Sequence, residues 1–96
     1  QWEFFKMNEI KSIKFIIIGL IKLFDEFQLF DWSKVFNRFL EDIEVNLEKV
    51  KFEILRNYGG MGSFNDIVLT KNGVYPFDKN EKFSMLRSDL YDLCSR

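Results

Sequence analysis

The sequence predicts a mainly α-helical protein, a compact bundle of about four helices, and three observations support this. Apolar residues recur at helical spacing along most of the chain. Hydrophobic residues make up 47% of the 96 positions and aromatics 18%, including twelve Phe, which suits an efficient small core. A chain of this length accommodates one domain, so we expect residues 1–96 to form a single helical domain.

The first predicted helix covers about residues 3–27 and is polar along one narrow stripe only. The stripe consists of Lys11, Lys14, Lys22 and Asp25. This pattern predicts a central helix that other helices cover on most sides. Gly19 costs about 1 kcal/mol relative to Ala in mid-helix, which a close approach of another helix would explain. A run of three isoleucines favours a strand, but the length and the stripe favour a helix.

The second predicted helix is the most clearly amphipathic segment, and Asp31 is its predicted N-cap. Its apolar face comprises Trp32, Val35, Phe36, Phe39, Leu40 and Ile43. The same periodicity continues to Tyr58, so the chain forms either one long helix or two helices that break near Val45-Asn46. We predict the break, with Asn46 capping a third helix, because an unbroken helix would extend past so small a domain.

The helical pattern stops at Tyr58, and Gly59 is well placed as a left-handed residue that ends a helix. Further on, Asn72-Gly73 lies between short β-favouring runs and predicts a short β-hairpin or an extended loop. A last helix is predicted over about residues 80–94, with Asn80 or Asp78 as its cap.

Composition argues against most enzyme chemistry. The sequence has no histidine, which removes the usual general base and the most common metal ligand. A zinc site needs at least three good ligands, and the chain has one cysteine, Cys94. We therefore expect no enzyme activity, no cofactor and no metal. The net charge of −1 gives no global attraction to nucleic acid, and we expect no nucleic-acid partner.

A membrane segment is not predicted either. The longest apolar run, residues 15–21, is far shorter than the roughly 20 residues that span a bilayer, and a lysine flanks it on each side. A single cysteine fits a reducing compartment, so a cytoplasmic location is expected. Cys94 itself is interpreted as a small apolar core residue.

Two local features remain as candidate sites. The first is a set of four acids near the predicted break between the second and third helices, which could meet a basic partner surface and speed its association. These partner-binding candidates are Glu41, Asp42, Glu44 and Glu48. Carboxylate catalysis would also need a cleft, which a domain of this size rarely provides.

The second feature is the glycine-rich turn that follows Tyr58. It is no phosphate loop, because it follows a helix C-terminus and lacks a lysine after its last glycine. We interpret it as a structural turn in which the glycines allow torsions forbidden to other residues, while Asn65 and Asp66 bond exposed backbone groups. Met61 and Phe64 are expected to enter the core. The glycines concerned are Gly59, Gly60 and Gly62.

A family resemblance rests on this turn. The stretch reads Tyr58-Gly59-Gly60-Met61-Gly62-Ser63-Phe64-Asn65-Asp66-Ile67-Val68-Leu69. It resembles a motif of a family of small bacterial helical proteins that carry a tryptophan-bearing helix upstream and a similar final helix. Proteins of this kind resemble the immunity proteins of contact-dependent growth inhibition systems, which neutralise a toxin delivered between competing bacteria. The resemblance implies binding without catalysis.

The first functional hypothesis is therefore a cytoplasmic immunity protein. It would bind a cognate toxin domain, expected to be a nuclease, and block its active site through the four acids and nearby exposed aromatics. The alternative is a structural or adaptor protein that acts as a homodimer, buries part of the Phe-rich surface and has no catalytic activity.

Overall fold

The computed structural model describes residues 2–59 and 63–96, which fold as a bundle of four α-helices. The helices are α1 (Trp2–Glu26), α2 (Phe30–Asp42), α3 (Leu47–Leu55) and α4 (Phe77–Cys94), and a short 3₁₀ turn lies at Phe64–Asp66. Helix α1 packs along α2 and α4, and α3 packs against both α4 and α2. The predicted mainly α architecture is thus confirmed.

The connection between α1 and α2 is a tight reversal. Gln28 takes the left-handed conformation (φ 61°), and the Leu29 N–H donates to the carbonyl of Phe24 at 2.7 Å. This arrangement closes α1 and turns the chain directly into α2. Because α2 already begins at Phe30 with no side-chain cap, the prediction that Asp31 is the N-cap is wrong. Asp31 lies in the first turn of α2, where its negative charge interacts favourably with the helix dipole.

The predicted break between the second and third helices is confirmed. Helix α2 ends at Asp42, and the Asn46 side-chain oxygen accepts a hydrogen bond from the Lys49 backbone N–H at 3.1 Å. This bond satisfies one of the N–H groups that a helix start leaves unpaired, so Asn46 caps α3 as predicted.

Helix α3 stops one turn earlier than the periodicity suggested, at Leu55 rather than Tyr58. Tight turns carry the chain on to Gly59, whose φ of 108° confirms the predicted left-handed conformation. The prediction that Gly59 ends the helix is wrong, because α3 already ends at Leu55. The Phe64 N–H then donates to the carbonyl of Asn57 at 3.1 Å, which closes the base of the glycine-rich turn.

An aromatic cluster forms the centre of the core. The Phe24 ring of α1 contacts four other rings at centroid distances of 5.4–6.2 Å. Its neighbours are Trp32, Phe36, Phe64 and Phe83. Rings from α1, α2, α4 and the segment after the glycines thus meet at one point, and edge-to-face contacts of this kind add to the stability that burial provides.

Helix α1 is central on one side only. A Cβ atom at Gly19 would lie 3.3 Å from Cδ1 of Leu86, which confirms the close approach of another helix, α4. Phe15 is 78% exposed and Ile18 is also exposed, both on the side of α1 that carries the lysine stripe, so the prediction that other helices cover the apolar residues of α1 is wrong for these two.

The segment before α4 turns tightly at Asn72-Gly73. Both residues have positive φ, and Lys71 and Val74 exchange two backbone hydrogen bonds of 2.9 and 3.0 Å. The predicted turn is confirmed, but it carries a single bridge between Lys71 and Val74, and no strand forms among the described residues.

Helix α4 begins at Phe77, after Pro76, without a side-chain cap. The prediction that Asn80 or Asp78 caps it is therefore wrong. Asn80 is buried in the second turn of the helix, where it accepts from the Leu69 N–H at 2.8 Å and donates to the Leu69 carbonyl at 2.9 Å. The Asn80 side-chain amide thus bonds both backbone groups of Leu69, as a neighbouring strand would do.

We expect Asn80→Ala to lower the free energy of unfolding by about 2 kcal/mol, because it leaves both backbone groups of buried Leu69 without a partner. Urea denaturation followed by circular dichroism measures this. The control is Asn8→Ala at an exposed helical position, which should change stability by less than about 0.5 kcal/mol. Equal losses in the two variants would contradict the assignment.

Candidate partner-binding surface

The glycine-rich turn is held to α4 by the side chains on either side of the glycines. The Tyr58 hydroxyl donates to the Arg87 carbonyl at 2.8 Å, and Arg87 Nη1 donates to the Phe64 carbonyl at 2.9 Å. The Arg87 guanidinium also lies 4.2 Å from the centroid of the Phe83 ring. Phe64 is fully buried, as predicted.

Burial decides how these groups titrate. It lowers the pKa of Arg87, although the nearby Tyr58 and Asp66 counteract this, and it raises the pKa of the Tyr58 hydroxyl. Tyr58 therefore stays protonated and keeps donating to α4 at neutral pH. These contacts support the structural interpretation of the turn, which connects the end of α3 to α4.

The remaining turn residues divide between the surface and the part of the chain that is not described. Asn65 and Asp66 are exposed, and Asn65 lines a shallow groove of about 540 Å³ beside Tyr58 and Arg87. Asp66 contributes its charge to Arg87. The predictions for Gly60, Met61 and Gly62 fall outside the described residues.

The four acids do lie together, around the junction of α2 and α3. All four side chains are exposed, and we call them the acidic junction. Its members are Glu41, Asp42, Glu44 and Glu48. The neighbouring Ile43 and Leu47 are buried, so the acids beside them occupy positions that face away from the core.

Two of these acids are partly neutralised by lysines. Glu44 lies 3.1 Å from Lys14 Nζ of α1, and Glu48 lies 3.7 Å from Lys51 Nζ. Among the described residues, Glu41 and Asp42 form no ion pair, so their charge remains available to a partner. The carboxylates of both pairs are open to water, with side chains 66% and 80% exposed, so these two contacts contribute little to stability and the acids can exchange partners.

Apolar side chains lie within the acidic junction, where the sequence predicted exposed aromatics without locating them. Val45 is 86% exposed between the acids, and Phe52 is exposed one turn beyond Glu48 on α3. A groove of about 330 Å³ joins Val45 and Glu48 to Trp2 and Phe5 of α1. Exposed apolar side chains within a charged rim are typical of protein-binding surfaces.

A buried lysine forms the base of this groove. Lys51 is 5% exposed, and its Nζ donates to Glu9 Oε1 at 2.6 Å and to the Arg96 carbonyl at 2.9 Å. Burial alone would lower the pKa of Lys51, but the bond to Glu9 and the charges of Glu9 and Glu48 outweigh it, so the pKa is raised. Lys51 therefore remains charged, and its ammonium group connects α3 to Glu9 of α1 and to the backbone of Arg96.

Neither a metal site nor a reactive thiol accompanies the surface in the described part of the chain. Burial raises the pKa of the Cys94 thiol to about 12, and the side chain packs in the core, as the sequence reading proposed. No group of three or more acidic or cysteine side chains in residues 2–59 and 63–96 could hold a metal ion. None of the four helices combines the length and apolar character needed to cross a bilayer.

Fold and surface together define a helical-bundle protein with an acidic and apolar candidate binding face. The chain belongs to the family described as "Domain of unknown function (DUF6966)", whose model matches residues 25–76. The match begins at the end of α1 and covers α2, α3 and the segment up to Pro76, so it includes the acidic junction. No curated protein and no solved structure matches the chain.

Proposed function

We propose that this protein is an immunity protein that binds a cognate bacterial toxin domain through the acidic junction and blocks its active site. The observation that carries the proposal is the exposed Val45 in the connection between α2 and α3, with four exposed carboxylates within four residues of it along the chain. Such a surface fits a basic, partly apolar cleft of the kind that a nuclease presents to nucleic acid. Inhibition by occlusion needs no catalytic group.

Charge and apolar contact have separate roles in this proposal. The free acids Glu41 and Asp42 steer a basic toxin surface and raise the association rate, while Val45 and Phe52 supply the buried contact that slows dissociation. Glu44 and Glu48 can exchange their lysines for partner cations, since both side chains are exposed.

The test begins with the protein encoded immediately upstream, whose C-terminal domain is expected to be toxic when expressed alone and harmless when expressed with this chain. Binding is then measured with a variant in which amides replace the four acids (Glu41→Gln, Asp42→Asn, Glu44→Gln, Glu48→Gln). We expect the association rate to fall at least about tenfold and to lose most of its salt dependence.

The matched control removes four exposed acids from α4 and so changes the net charge equally. It carries Asp78→Asn, Glu81→Gln, Asp89→Asn and Asp92→Asn. This control should bind within about threefold of the natural sequence at moderate salt. The proposal fails if the upstream domain is neither toxic nor bound, or if both variants lose the same affinity.

A further inference from the structure

The side of α1 that faces the core continues beyond the bundle at the start of the helix. Trp2, Phe5 and Glu9 are spaced three and four residues apart along α1. They therefore lie on the same side of the helix as Ile13, which is fully buried. Trp2 is nevertheless 72% exposed and Phe5 is 68% exposed. In its first two turns α1 thus presents to the solvent the side that elsewhere forms the core.

This open side of α1 forms one wall of the groove beside the acidic junction, which we call the α1–α3 groove. Val45 and Glu48 lie in the opposite wall, and the buried Lys51 forms the base. The groove has a volume of about 330 Å³, which is within the range of pockets that hold ligands. Exposed rings on one wall and an exposed carboxylate on the other suit a group that has an apolar stem and a positively charged end.

The charges at the base of the groove favour a cation. Lys51 Nζ lies 2.6 Å from Glu9 Oε1 and 3.7 Å from Glu48 Oε2. Two carboxylates thus share one ammonium group, which leaves a negative charge uncompensated. Glu48 is the carboxylate that remains available, because its contact with Lys51 is long and its side chain is 80% exposed, whereas that of Glu9 is 27% exposed.

The aromatic wall already holds a cation. Lys6 Nζ lies 5.1 Å from the centroid of the Trp2 ring, a cation–π contact within the helix. A guanidinium group stacks on an aromatic ring better than an ammonium group does, because it is planar and more weakly hydrated. An arginine from outside can therefore replace Lys6 on this ring. Besides Lys51, the cations of the lining are Lys6, which is half-buried, and Arg96, which is exposed, so both can turn to the solvent.

We propose that the α1–α3 groove binds an arginine side chain of the protein partner. The stem of this arginine packs against Phe5 and Val45, and its guanidinium group is held by the Trp2 ring and the Glu48 carboxylate. The inference rests on the proposed immunity function for the identity of that partner. Arginine suits a nuclease, because its guanidinium group matches the geometry of phosphate. Occupying this arginine deprives the toxin of a group that binds its substrate.

Other side chains fit the groove less well. A carboxylate would be repelled by Glu48 and by the other acids of the acidic junction. An apolar side chain would contact Trp2 and Phe5 but would take water from the Glu48 carboxylate without offering it a hydrogen bond. Because Glu48 belongs to both the groove and the acidic junction, a partner bound at the junction also reaches the groove.

The first experiment tests the groove without a toxin. The N-acetyl amide of arginine is titrated into the isotope-labelled protein, and NMR follows the indole N–H signals of Trp2 and Trp32. We expect a saturable shift of the Trp2 signal with a dissociation constant on the order of millimolar. The Trp32 signal is the internal control, because that ring packs against Phe24 in the core. The N-acetyl amide of lysine should bind about threefold more weakly, and that of glutamate should cause no shift at Trp2.

Variants of the two walls identify the contacts. Trp2→Ala and Glu48→Gln should each weaken binding of the arginine compound about threefold, measured on the backbone amide signals of residues 45–48. The matched controls Phe77→Ala and Glu81→Gln change exposed side chains of α4 outside the groove and should leave binding unchanged. Circular dichroism checks that each variant remains helical.

Lys6→Gln should act in the opposite direction. It removes the cation that competes for the Trp2 ring, so the arginine compound should bind about threefold more tightly. The control Lys11→Gln removes the same charge from an exposed position of α1 outside the groove and should leave binding unchanged.

The second experiment uses the toxin domain encoded upstream. Trp2→Ala with Phe5→Ala should raise its dissociation constant at least about tenfold, chiefly through faster dissociation. The matched control is Phe4→Ala with Met7→Ala, which removes two similarly exposed side chains that do not line the groove. This control should change the dissociation constant less than about threefold.

The two experiments separate two failures. If the toxin binds but the arginine compound shifts neither the Trp2 indole signal nor the amides of residues 45–48, the arginine site is wrong and the immunity function stands. Weaker or unchanged binding of the compound to Lys6→Gln would also overturn the arginine site. If the compound binds at Trp2 but the upstream domain is neither toxic nor bound, the immunity function fails and the groove is still supported as an arginine site.

Discussion

Replacing Phe64 with alanine is expected to lower the free energy of unfolding by about 4 kcal/mol. Phe64 is fully buried, and its ring lies 5.1 Å from the centroids of both Phe36 and Tyr58. The substitution removes the one aromatic ring that the segment after the glycines contributes to the core. A domain of this size is stabilised by roughly 5–10 kcal/mol, so the variant will be close to unfolding.

Urea denaturation followed by circular dichroism measures this loss, and Phe77→Ala is the matched control. Phe77 is 69% exposed, so its truncation should cost less than about 0.5 kcal/mol. A second variant, Tyr58→Phe, removes only the hydroxyl that donates to Arg87 and should cost about 1 kcal/mol. If Phe64→Ala cost no more than Tyr58→Phe, the turn would not be an integral part of the core.

This expectation bears on the meaning of the glycine-rich motif. Tyr58 and Phe64 at its two ends both contact α4 or the rings that α4 contributes. A motif whose flanking residues support the core can be a family signature without marking a binding site. The acidic junction, whose residues support nothing in the core, is therefore the better place to look for function.

Local features of the fold were predictable from the sequence. The periodicity of apolar residues located four helices, because it reflects which side of each helix is buried. Asn46 was recognised as a cap because its hydrogen bond to the Lys49 N–H spans only three residues. Gly59 was recognised because positive φ is a property of the residue itself.

The wrong predictions share a different cause. In each case a contact with residues outside the local segment decides the structure. Asn80 resembles a helix cap in sequence, but its side-chain amide forms hydrogen bonds with the backbone of Leu69, eleven residues earlier. Asp31 looks like another, but the reversal at Gln28 starts α2 one residue before it. Likewise, the exposure of Phe15 depends on which sides of α1 the other helices cover, and the periodicity within α1 does not contain this information.

The candidate site was located in the same partial way. The four acids are close in sequence and their exposure followed from helical spacing, so they could be proposed in advance. Lys14 belongs to α1, and only the fold brings it to Glu44. Lys51 is three residues after Glu48 on the same helix, so spacing predicts that contact, but the burial of Lys51 and its bond to Glu9 depend on the fold. The exposed apolar residue Val45 was missed because it was read as part of a helix break.

Lys51→Met is expected to lower the free energy of unfolding by about 3 kcal/mol. The methionine fills similar space but leaves Glu9, whose side chain is 27% exposed, without its partner and the Arg96 carbonyl without a donor. Chemical denaturation at neutral pH measures the loss. Glu48→Gln is the control, since that side chain is 80% exposed and 3.7 Å from the lysine, and it should change stability by less than about 0.5 kcal/mol.

The double variant Lys51→Met with Glu9→Leu separates two explanations. If the loss comes from an uncompensated buried charge, the double variant should recover most of the stability, because no charged group is then left unpaired. If it comes from poor packing of the methionine, the double variant should be no more stable than the single one. The first outcome is expected, since the Lys51 Nζ makes its contacts by hydrogen bonding and not by close apolar packing.

The pH dependence gives an independent check of the same group. The pKa of Lys51 is raised in the folded state, so its contribution is fully present below the unfolded value of about 10.4 and is lost as the pH rises through the folded pKa. Lys51→Met should therefore lose less stability than the natural sequence over that alkaline range. Because Lys51 also holds Glu9 against α3, the same variant should speed amide hydrogen exchange in the first turns of α1.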